Sequence, residues 1–419
     1  MKKICTLIVA VLAVLCLAAC GEEDKKGINV WATAAEQKVI NAVVEEYNQT
    51  HEDKIYVNFT AISEGDCGTT LANDPTVKGA PALFLCADDQ ISNLQSKGII
   101  AEIKGARKER VVASTSEVAV LGATLNDKLY GYPVTADNGY FLWYDGSKLT
   151  AEQAGSLETI LQIAQDSDKQ FLMELNNGWY ANSFIMSPQA CGVGLDSLSW
   201  YTNDSGSKVY KSTWDNEKAV KVSTYIAGLL TPYFAAGTLQ TGGNDAVQAG
   251  FEEGNLIAAV SGTWMEPGLK EALGDNLRAA KLPTYTIEGQ AYQMASFGGS
   301  KVYCINKTRP AEEQLAAANL AELLTSKEAQ LKRFEIRATI PCNKEAMVDA
   351  RYTENVSVGA AALLAQSEFA CVQSKTAEDR YWDVGKAIGQ AYLDSILGDC
   401  ANWTEFLKAK IDSLRQPAI

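Results

Sequence analysis

INVWAT, residues 28–33, is the stretch that decides the fold. Its apolar residues are typical of a buried strand, and residues 39–47 then place apolar side chains at helical spacing. Apolar and polar residues alternate at 55–59, which predicts a second strand. Because strand and helix patterns keep alternating along the chain, the sequence predicts an α/β fold built on a parallel sheet with right-handed crossovers.

The N-terminus carries the pattern of an export signal. A basic start precedes residues 4–19, whose only polar side chain is Thr6. This apolar run is shorter than the roughly 20 residues of a membrane-spanning helix, which favours a cleaved signal over an anchor. The exit into Cys20 resembles a bacterial lipobox. We therefore expect residues 1–19 to be removed, Cys20 to carry lipid on the extracytoplasmic face of the cell membrane, and residues 20–27 to form a tether.

Composition limits the classes of function. The 419-residue chain has a net charge of −14, which falls to −16 once the two lysines of the signal are removed. This acidity disfavours nucleic acid as a partner, because phosphate recognition depends on basic patches. The mature chain exceeds what one core usually holds, so two lobes are expected. We expect a monomer without a metal or cofactor.

The single histidine and the cysteines do not indicate catalysis. His51 lies in a polar stretch between a predicted helix and a predicted strand, which is typical of a solvated turn. A Ser-His-Asp triad or a histidine-rich zinc site would have to use it. Seven cysteines follow Cys20, and none are spaced as Cys-x-x-Cys. Their pairing stays open, and most are expected in the core.

Four segments, taken in order, resemble one family. They are 96–103 (SKGIIAEI), 128–148 (beginning KLYGYP), 251–264 (FEEGNLIAAVSGTW) and 323–330 (LLTSKEAQ). With the lipobox-like exit, they make the chain similar to the extracellular solute-binding proteins of ABC importers. The similar branch is the one that includes maltose- and maltodextrin-binding proteins.

The resemblance implies a two-lobed periplasmic-binding-protein-like fold with a ligand cleft between the lobes. The implied boundaries are 28–135 and 288–336 for the N-terminal lobe, and 140–283 and 341–419 for the C-terminal lobe. The segments that cross between the lobes are expected near 133–139, 283–293 and 334–341. Closure around a ligand would be a hinge motion, driven by contacts that form in the closed state.

A sugar site needs flat rings to stack on apolar sugar faces and polar groups to bond the hydroxyls. The resemblance implies the substrate-binding residues Trp179, Trp264, Trp382, Asp89, Asp137, Tyr180 and Asn177. A place in the core is the alternative for each tryptophan. A helix cap is the alternative for Asp89, and an Asx turn is the alternative for Asp137.

Two positions depart from the maltodextrin-binding pattern. Cys86 stands where those proteins often carry a tryptophan, and Ala35-Glu36 stands where they carry an acidic–basic pair. The chain therefore lacks one stacking ring and one polar clamp of that pattern, which leaves a different sugar open as the ligand.

The resemblance implies a protein that captures an oligosaccharide, maltose or a maltodextrin, and delivers it unchanged to ABC permease subunits in the membrane. Binding of a different sugar or small solute by the same fold is an open alternative, although the net charge of −16 disfavours anionic ligands. A secreted glycoside hydrolase is a further alternative, because tryptophan-rich clefts with paired carboxylates also serve that chemistry.

Overall fold

The computed structural model describes residues 27–191, 199–202, 208–372 and 379–416. The predicted signal segment 1–19, the lipidation site Cys20 and the tether up to residue 26 lie outside the described residues. Within the described ranges, no helix is both long enough and apolar enough to cross a membrane.

The strands alternate with helices along most of the chain. The described strands are β1 Ile28–Ala32, β2 Val57–Ala61, β3 Leu83–Ala87, β4 Thr124–Leu125, β5 Lys128–Leu129, β6 Tyr132–Thr135, β7 Phe141–Asp145, β8 Gln170–Leu172, β9 Ser199–Thr202, β10 Lys208–Lys211, β11 Leu239–Gln240, β12 Leu256–Ser261, β13 Leu277–Ala280, β14 Thr284–Ile287, β15 Gln290–Gln293, β16 Ser296–Gly298, β17 Lys301–Ile305 and β18 Ala370–Val372.

The helices vary from one turn to five turns. The described α-helices are α1 Ala34–Thr50, α2 Glu64–Asn73, α3 Ile91–Ser96, α4 Gly105–Ser114, α5 Glu117–Gly122, α6 Leu157–Asp166, α7 Gly178–Ala181, α8 Glu217–Ala235, α9 Asn244–Glu252, α10 Glu266–Leu273, α11 Ala311–Leu324, α12 Lys327–Arg337, α13 Ala350–Thr353, α14 Val358–Ser367, α15 Asp379–Asp394 and α16 Trp403–Arg415.

Two five-stranded sheets organise the described chain. The first has the order β2-β1-β3-β17-β6, in which β1, β2 and β3 are parallel and β17 runs antiparallel to β3 and β6. The second has the order β11-β8-β12-β7-β13, in which β8 is parallel to β11 and β12, and β7 runs antiparallel to β12 and β13. The predicted α/β class is confirmed.

Helix α1 shows how the sequence sets the local structure. Thr33 caps its N-terminus, because the Thr33 hydroxyl accepts from the Glu36 backbone N–H at 3.3 Å. The predicted apolar stripe is buried against the first sheet: Val39, Ile40, Val43 and Val44. The helix ends at Thr50, and its C-cap is His51, an exposed residue whose ring stacks on Tyr47 with the ring centroids 3.8 Å apart. His51 is thus a surface residue, as its polar surroundings predict.

Each sheet has its own apolar core. Phe84, Tyr132 and Val302 are among the residues buried around the first sheet. Tyr140 and Phe184 belong to the larger core on the second sheet. A further buried cluster joins α12 to the other face of the second sheet, and its members include Trp143 and Phe334. Helix α12 therefore packs between the two sheets rather than on one alone.

Three backbone segments run between the sheets, at 136–140, 299–300 and 338–343. They lie side by side, since the Ala136 N–H donates to the Ile340 carbonyl at 3.0 Å and the Asn138 N–H donates to the Gly299 carbonyl at 3.2 Å. Lateral hydrogen bonds satisfy these backbone groups where the chain leaves one sheet for the other.

The second of these crossings lies later in the chain than the sequence predicts. Strands β14 and β15 form a hairpin, and its Tyr285 and Tyr292 rings stack 5.3 Å apart in the second core. Met294 and Phe297 are buried in the same core. The crossing predicted at 283–293 therefore lies at 299–300, and the lobe boundary predicted at 288 is too early. The rest of the predicted lobe division stays a prediction.

A buried carboxylate ties α1 to α12. Glu36 Oε1 accepts from Arg333 Nη2 at 2.7 Å and from the Tyr303 hydroxyl at 2.8 Å, while Oε2 accepts from Arg337 Nη1 at 2.5 Å. Burial alone raises the pKa of Glu36, but the charges and hydrogen bonds of Arg333 and Arg337 outweigh it. The pKa of Glu36 is therefore lowered, and the carboxylate stays charged.

We expect Glu36→Gln to lower the free energy of unfolding by about 3–5 kcal/mol, because Arg333 would keep a buried charge without its counter-ion. Urea denaturation at pH 7 measures this loss. The matched control is Glu46→Gln on the same helix, where the carboxylate pairs with Lys332 at 2.7 Å near the surface and the expected loss is below about 1 kcal/mol. Equal losses of unfolding free energy in the two variants would contradict the role of Glu36 as the buried counter-ion of Arg333.

The stability of the wild type should also depend on pH through Glu36. Because its folded-state pKa lies below the ordinary value of 4.5, its contribution is complete above that value and is lost as the pH falls through the folded pKa. Urea titrations between about pH 5 and pH 3 should therefore show a steeper loss for the wild type than for Glu36→Gln. Parallel curves would show that Glu36 titrates normally.

Candidate functional site

A cleft of about 570 Å³ lies between the two sheets. On the first sheet it is lined by Thr33, which follows β1, Ser63, which follows β2, and Asp89, which follows β3. Asn138 follows β6 and also lines the cleft, as does Lys301 at the start of the antiparallel β17. The cleft is therefore bounded by the carboxyl edge of the parallel strands, where open α/β sheets bind their ligands.

The second sheet contributes the aromatic side of the cleft. Asn177 and Trp179 follow β8, Asn244 follows β11, and Trp264 follows β12. Trp382 reaches the cleft from α15. The two sheets thus present their carboxyl edges to each other, polar on one side and aromatic on the other. The cleft volume is typical of a small-molecule site.

Trp179 is fixed by Asn177, the N-cap residue of α7, and by Tyr140 in the first crossing. Its backbone N–H donates to the Asn177 side chain at 3.0 Å, and its carbonyl accepts from the Tyr140 hydroxyl at 2.8 Å. The Tyr140 ring lies 4.7 Å from the Trp179 ring in an edge-to-face arrangement. The indole is half-buried, so one part packs on the core and another part lines the cleft.

Trp264 lies next to Trp179, with ring centroids 6.1 Å apart and planes inclined by 33°. Its indole Nε1 donates to Asn244 Oδ1 at 3.0 Å, which orients the ring. The ring also covers Gly262, where a Cβ atom would come within 2.1 Å of it. A glycine before this tryptophan is therefore required for the observed ring position.

Trp382 reaches the cleft because α15 packs very closely on α7. A Cβ atom on Gly178 would lie 2.4 Å from the Trp382 carbonyl oxygen, and one on Gly385 would lie 2.8 Å from Gly178 Cα. The Trp382 ring is held edge-to-face against Phe297 at 5.5 Å. The structure thus brings together the three predicted tryptophans, with Asn177 and Asp89, on one cleft.

Tyr180 and Asp137 do not line the cleft. Tyr180 is buried, and burial raises its pKa, so it remains a neutral phenol beneath the Trp179 ring. Asp137 is also buried: its Oδ1 accepts from Thr135 Oγ1 at 2.5 Å and lies 3.6 Å from Lys301 Nζ. Neither residue belongs to the described cleft lining, because core packing holds Tyr180 and an ion pair holds Asp137 behind the cleft wall, and their direct contact with a ligand stays a prediction.

Sequence reasoning missed several cleft residues. Thr33, Ser63, Asn138 and Asn244 all follow strand ends, so the rule that ligands meet the carboxyl edges of strands could have found them. Lys301 begins an antiparallel strand, and its position at the cleft depends on the strand direction. No local pattern indicates that direction.

The two departures from the maltodextrin-binding pattern have structural explanations. Glu36 belongs to the buried cluster with Arg333 and Arg337, not to the cleft. Cys86 is fully buried, with its sulfur 3.8 Å from Cys304 Sγ, and this contact together with burial raises its pKa well above the usual range. Among the described residues, no cluster of histidine, cysteine and acidic side chains could hold a metal ion.

Comparison with known proteins agrees with this geometry. The family described as bacterial extracellular solute-binding protein matches residues 42–360. The maltooligosaccharide ABC transporter solute-binding lipoprotein of Streptococcus pneumoniae (strain ATCC BAA-334 / TIGR4) is 23% identical over 368 residues, which cover 83% of this chain and 82% of that protein.

Two solved structures share the fold. One, solved with acarbose, has a TM-score of 0.77 and 25% identity, and covers 93% of this chain and 99% of its own. The other is a maltodextrin-binding protein from L. casei BL23 without ligand, with a TM-score of 0.76, 19% identity and coverage of 93% and 99%. The two-lobed architecture that the sequence resemblance implies is confirmed.

The close packing of α7 on α15 predicts the effect of Gly178→Ala. The new methyl group would collide with the Trp382 carbonyl oxygen, so we expect a loss of about 1–3 kcal/mol in the free energy of unfolding and altered tryptophan emission. Urea denaturation and fluorescence spectra measure the two effects. The control is Gly228→Ala on α8, where nothing lies within 4 Å of the added atom. Equal stability of both variants would contradict the close packing of α7 on α15.

Proposed function

Because the chain belongs to the bacterial extracellular solute-binding proteins, we propose that it captures a malto-oligosaccharide in the cleft and delivers it to an ABC importer. The observation that carries this proposal is the convergence of Trp179, Trp264 and Trp382 on one cleft. Flat aromatic rings match the apolar faces of sugar rings. The name of the pneumococcal relative, a maltooligosaccharide transporter lipoprotein, and the acarbose held by a structural neighbour support the class of ligand.

The polar residues of the cleft suit the hydroxyl groups of a neutral sugar. Asp89 supplies a carboxylate acceptor, and charge-assisted hydrogen bonds to hydroxyls are stronger than neutral ones. The amides of Asn138, Asn177 and Asn244 offer both donors and acceptors. A sugar hydroxyl needs both kinds of partner, so this set fits a polyhydroxylated ligand.

Binding and closure are linked by the arrangement of the cleft. The aromatic residues stand on the second sheet, while Asp89 and Asn138 stand on the first. A sugar stacked on the tryptophans gains its hydrogen bonds to the first sheet as the cleft closes. These extra contacts favour the closed state, and the three crossings that lie side by side would act as the hinge.

Capture without chemistry agrees with the carboxylates of the site. Among the described residues that line the cleft, Asp89 is the one acidic side chain. Glycoside hydrolysis generally uses two carboxyl groups that flank the scissile bond. Asp137, the other carboxylate that the sequence resemblance implies at the site, is buried and engaged by Lys301 and Thr135. The cleft therefore favours binding and release of an intact sugar.

The proposal includes the cellular setting. Cys20 would carry the lipid that anchors a monomeric protein on the extracytoplasmic face of the membrane, next to the permease subunits. The name of the pneumococcal relative, a lipoprotein of an ABC transporter, supports this location. The charged segment after Cys20 would then act as a short tether.

Calorimetric titration of the protein from Gly21 onward with maltotriose should show saturable binding. We expect Trp264→Ala to weaken the affinity at least about tenfold, equivalent to about 1.4 kcal/mol, because a stacking face is lost. Trp264→Phe should recover part of the loss, since a ring remains. No binding of maltose, maltotriose or longer α-glucans by the wild type would contradict the proposed ligand. Shorter sugars appearing during incubation would instead indicate a hydrolase.

A further inference from the structure

Lys301 lies where the two sheets and two crossings meet. It begins β17 directly after the crossing at 299–300, and its side chain is only 7% exposed. Its Nζ lies 3.6 Å from Asp137 Oδ1, in the first crossing, and 5.8 Å from the centroid of the Trp264 ring, on the second sheet. One ammonium group therefore touches the hinge and the aromatic side of the cleft at once.

A buried ammonium is costly unless a counter-charge accompanies it. Asp137 supplies that charge from behind the cleft wall, where it is 1% exposed. Asp137 Oδ1 also accepts from Thr135, while no described residue donates to its Oδ2. Lys301 is thus the partner that compensates the charge of Asp137.

The ion pair is asymmetric with respect to the cleft. Lys301 lines the cleft, and Asp137 does not. The ammonium of Lys301 lies in the cleft near the Trp264 ring. An ion pair that only stabilised the fold would gain nothing from a cation that faces the cleft. The placement is that of a cationic donor aimed at a ligand and backed by a neutralising carboxylate.

We propose that Lys301 binds the sugar held on Trp264 and that Asp137 is the positioning residue that neutralises it. This inference rests on the proposed function. The ammonium donates charge-assisted hydrogen bonds to sugar hydroxyl or ring oxygens. Asp137 cancels the positive charge of Lys301. Since Asp89 is the other charged residue of the described cleft lining, the cleft has an excess of negative charge. The cleft therefore selects neutral sugars over anionic ones.

The first test removes the charge and keeps the length of the side chain. Lys301→Met should weaken maltotriose binding at least about tenfold in calorimetric titrations. The matched control is Lys221→Met on α8, an exposed lysine that pairs with Glu288, and its affinity should stay within about twofold of the wild type. Circular dichroism and melting curves report whether each variant folds. A folded Lys301→Met with wild-type affinity would overturn the proposal.

The second test uses selectivity, which a purely structural pair would not change. The probes are maltose and maltobionate, the acid formed by oxidising the reducing glucose of maltose. The wild type should prefer maltose. Asp137→Asn should reduce that preference at least about fivefold, because the ammonium loses its neutralising partner. Lys301→Arg, which keeps the charge, should retain the wild-type preference. An unchanged preference in Asp137→Asn would overturn the selectivity role.

The two proposals fail in different ways. A wild type that binds no malto-oligosaccharide would remove the proposed function and, with it, the role of Lys301. A wild type that binds maltotriose together with a folded Lys301→Met of equal affinity would remove the role of Lys301 alone.

Discussion

The carboxylate of Glu36 is the point on which the architecture around the hinge depends. It is completely buried and receives hydrogen bonds from Arg333, Arg337 and Tyr303. A buried charge of this kind is tolerated only while its partners stay in place. Helices α1 and α12 and strand β17 must therefore keep their relative positions. Helix α1 starts at the cleft wall with Thr33, and α12 ends at Ala338, where the third crossing begins. One ion cluster thus fixes both the cleft wall and the start of the hinge.

Strand direction explains why the chemistry of the cleft gathers in one place. In both sheets the loops after parallel strands open toward the cleft, so polar and aromatic residues far apart in the chain become neighbours. The second sheet needs one further device to assemble its aromatic side. Gly178 lets α15 approach α7 closely enough for Trp382 to share the cleft with Trp179. A larger residue there would separate these two rings.

In the proposed function, the polar and the aromatic residues of the cleft contribute to binding in different ways. Stacking on Trp179 and Trp264 would select the shape of the ligand, and the hydrogen-bonding groups of the first sheet would contact it only when the sheets approach. Lys301 lies between the two groups of residues, because it belongs to β17 of the first sheet and its ammonium lies near the Trp264 ring of the second. In the proposed mechanism, the same residue contacts the ligand and one of the crossings about which closure occurs.

The sequence by itself determined the α/β class, the first strand–helix–strand unit, β1 to β2, and, through the family resemblance, the tryptophans that line the cleft. The α/β class and these elements follow from apolar periodicity. The tryptophans follow from the resemblance to the maltodextrin-binding proteins, whose motifs place an aromatic residue at each position. Asp89 follows a buried strand, and its position at the cleft is a consequence of that strand's direction.

Only the tertiary structure decided which polar residues face the cleft and where the chain crosses between the sheets. Glu36 finds its partners 297 and 301 residues later in the chain, at Arg333 and Arg337, and the ion pair with Lys301 holds Asp137 behind the cleft wall. The hairpin of β14 and β15 joins the second core because Tyr285 and Tyr292 pack there. Such contacts join residues distant in sequence, and their energies depend on burial that no local pattern specifies.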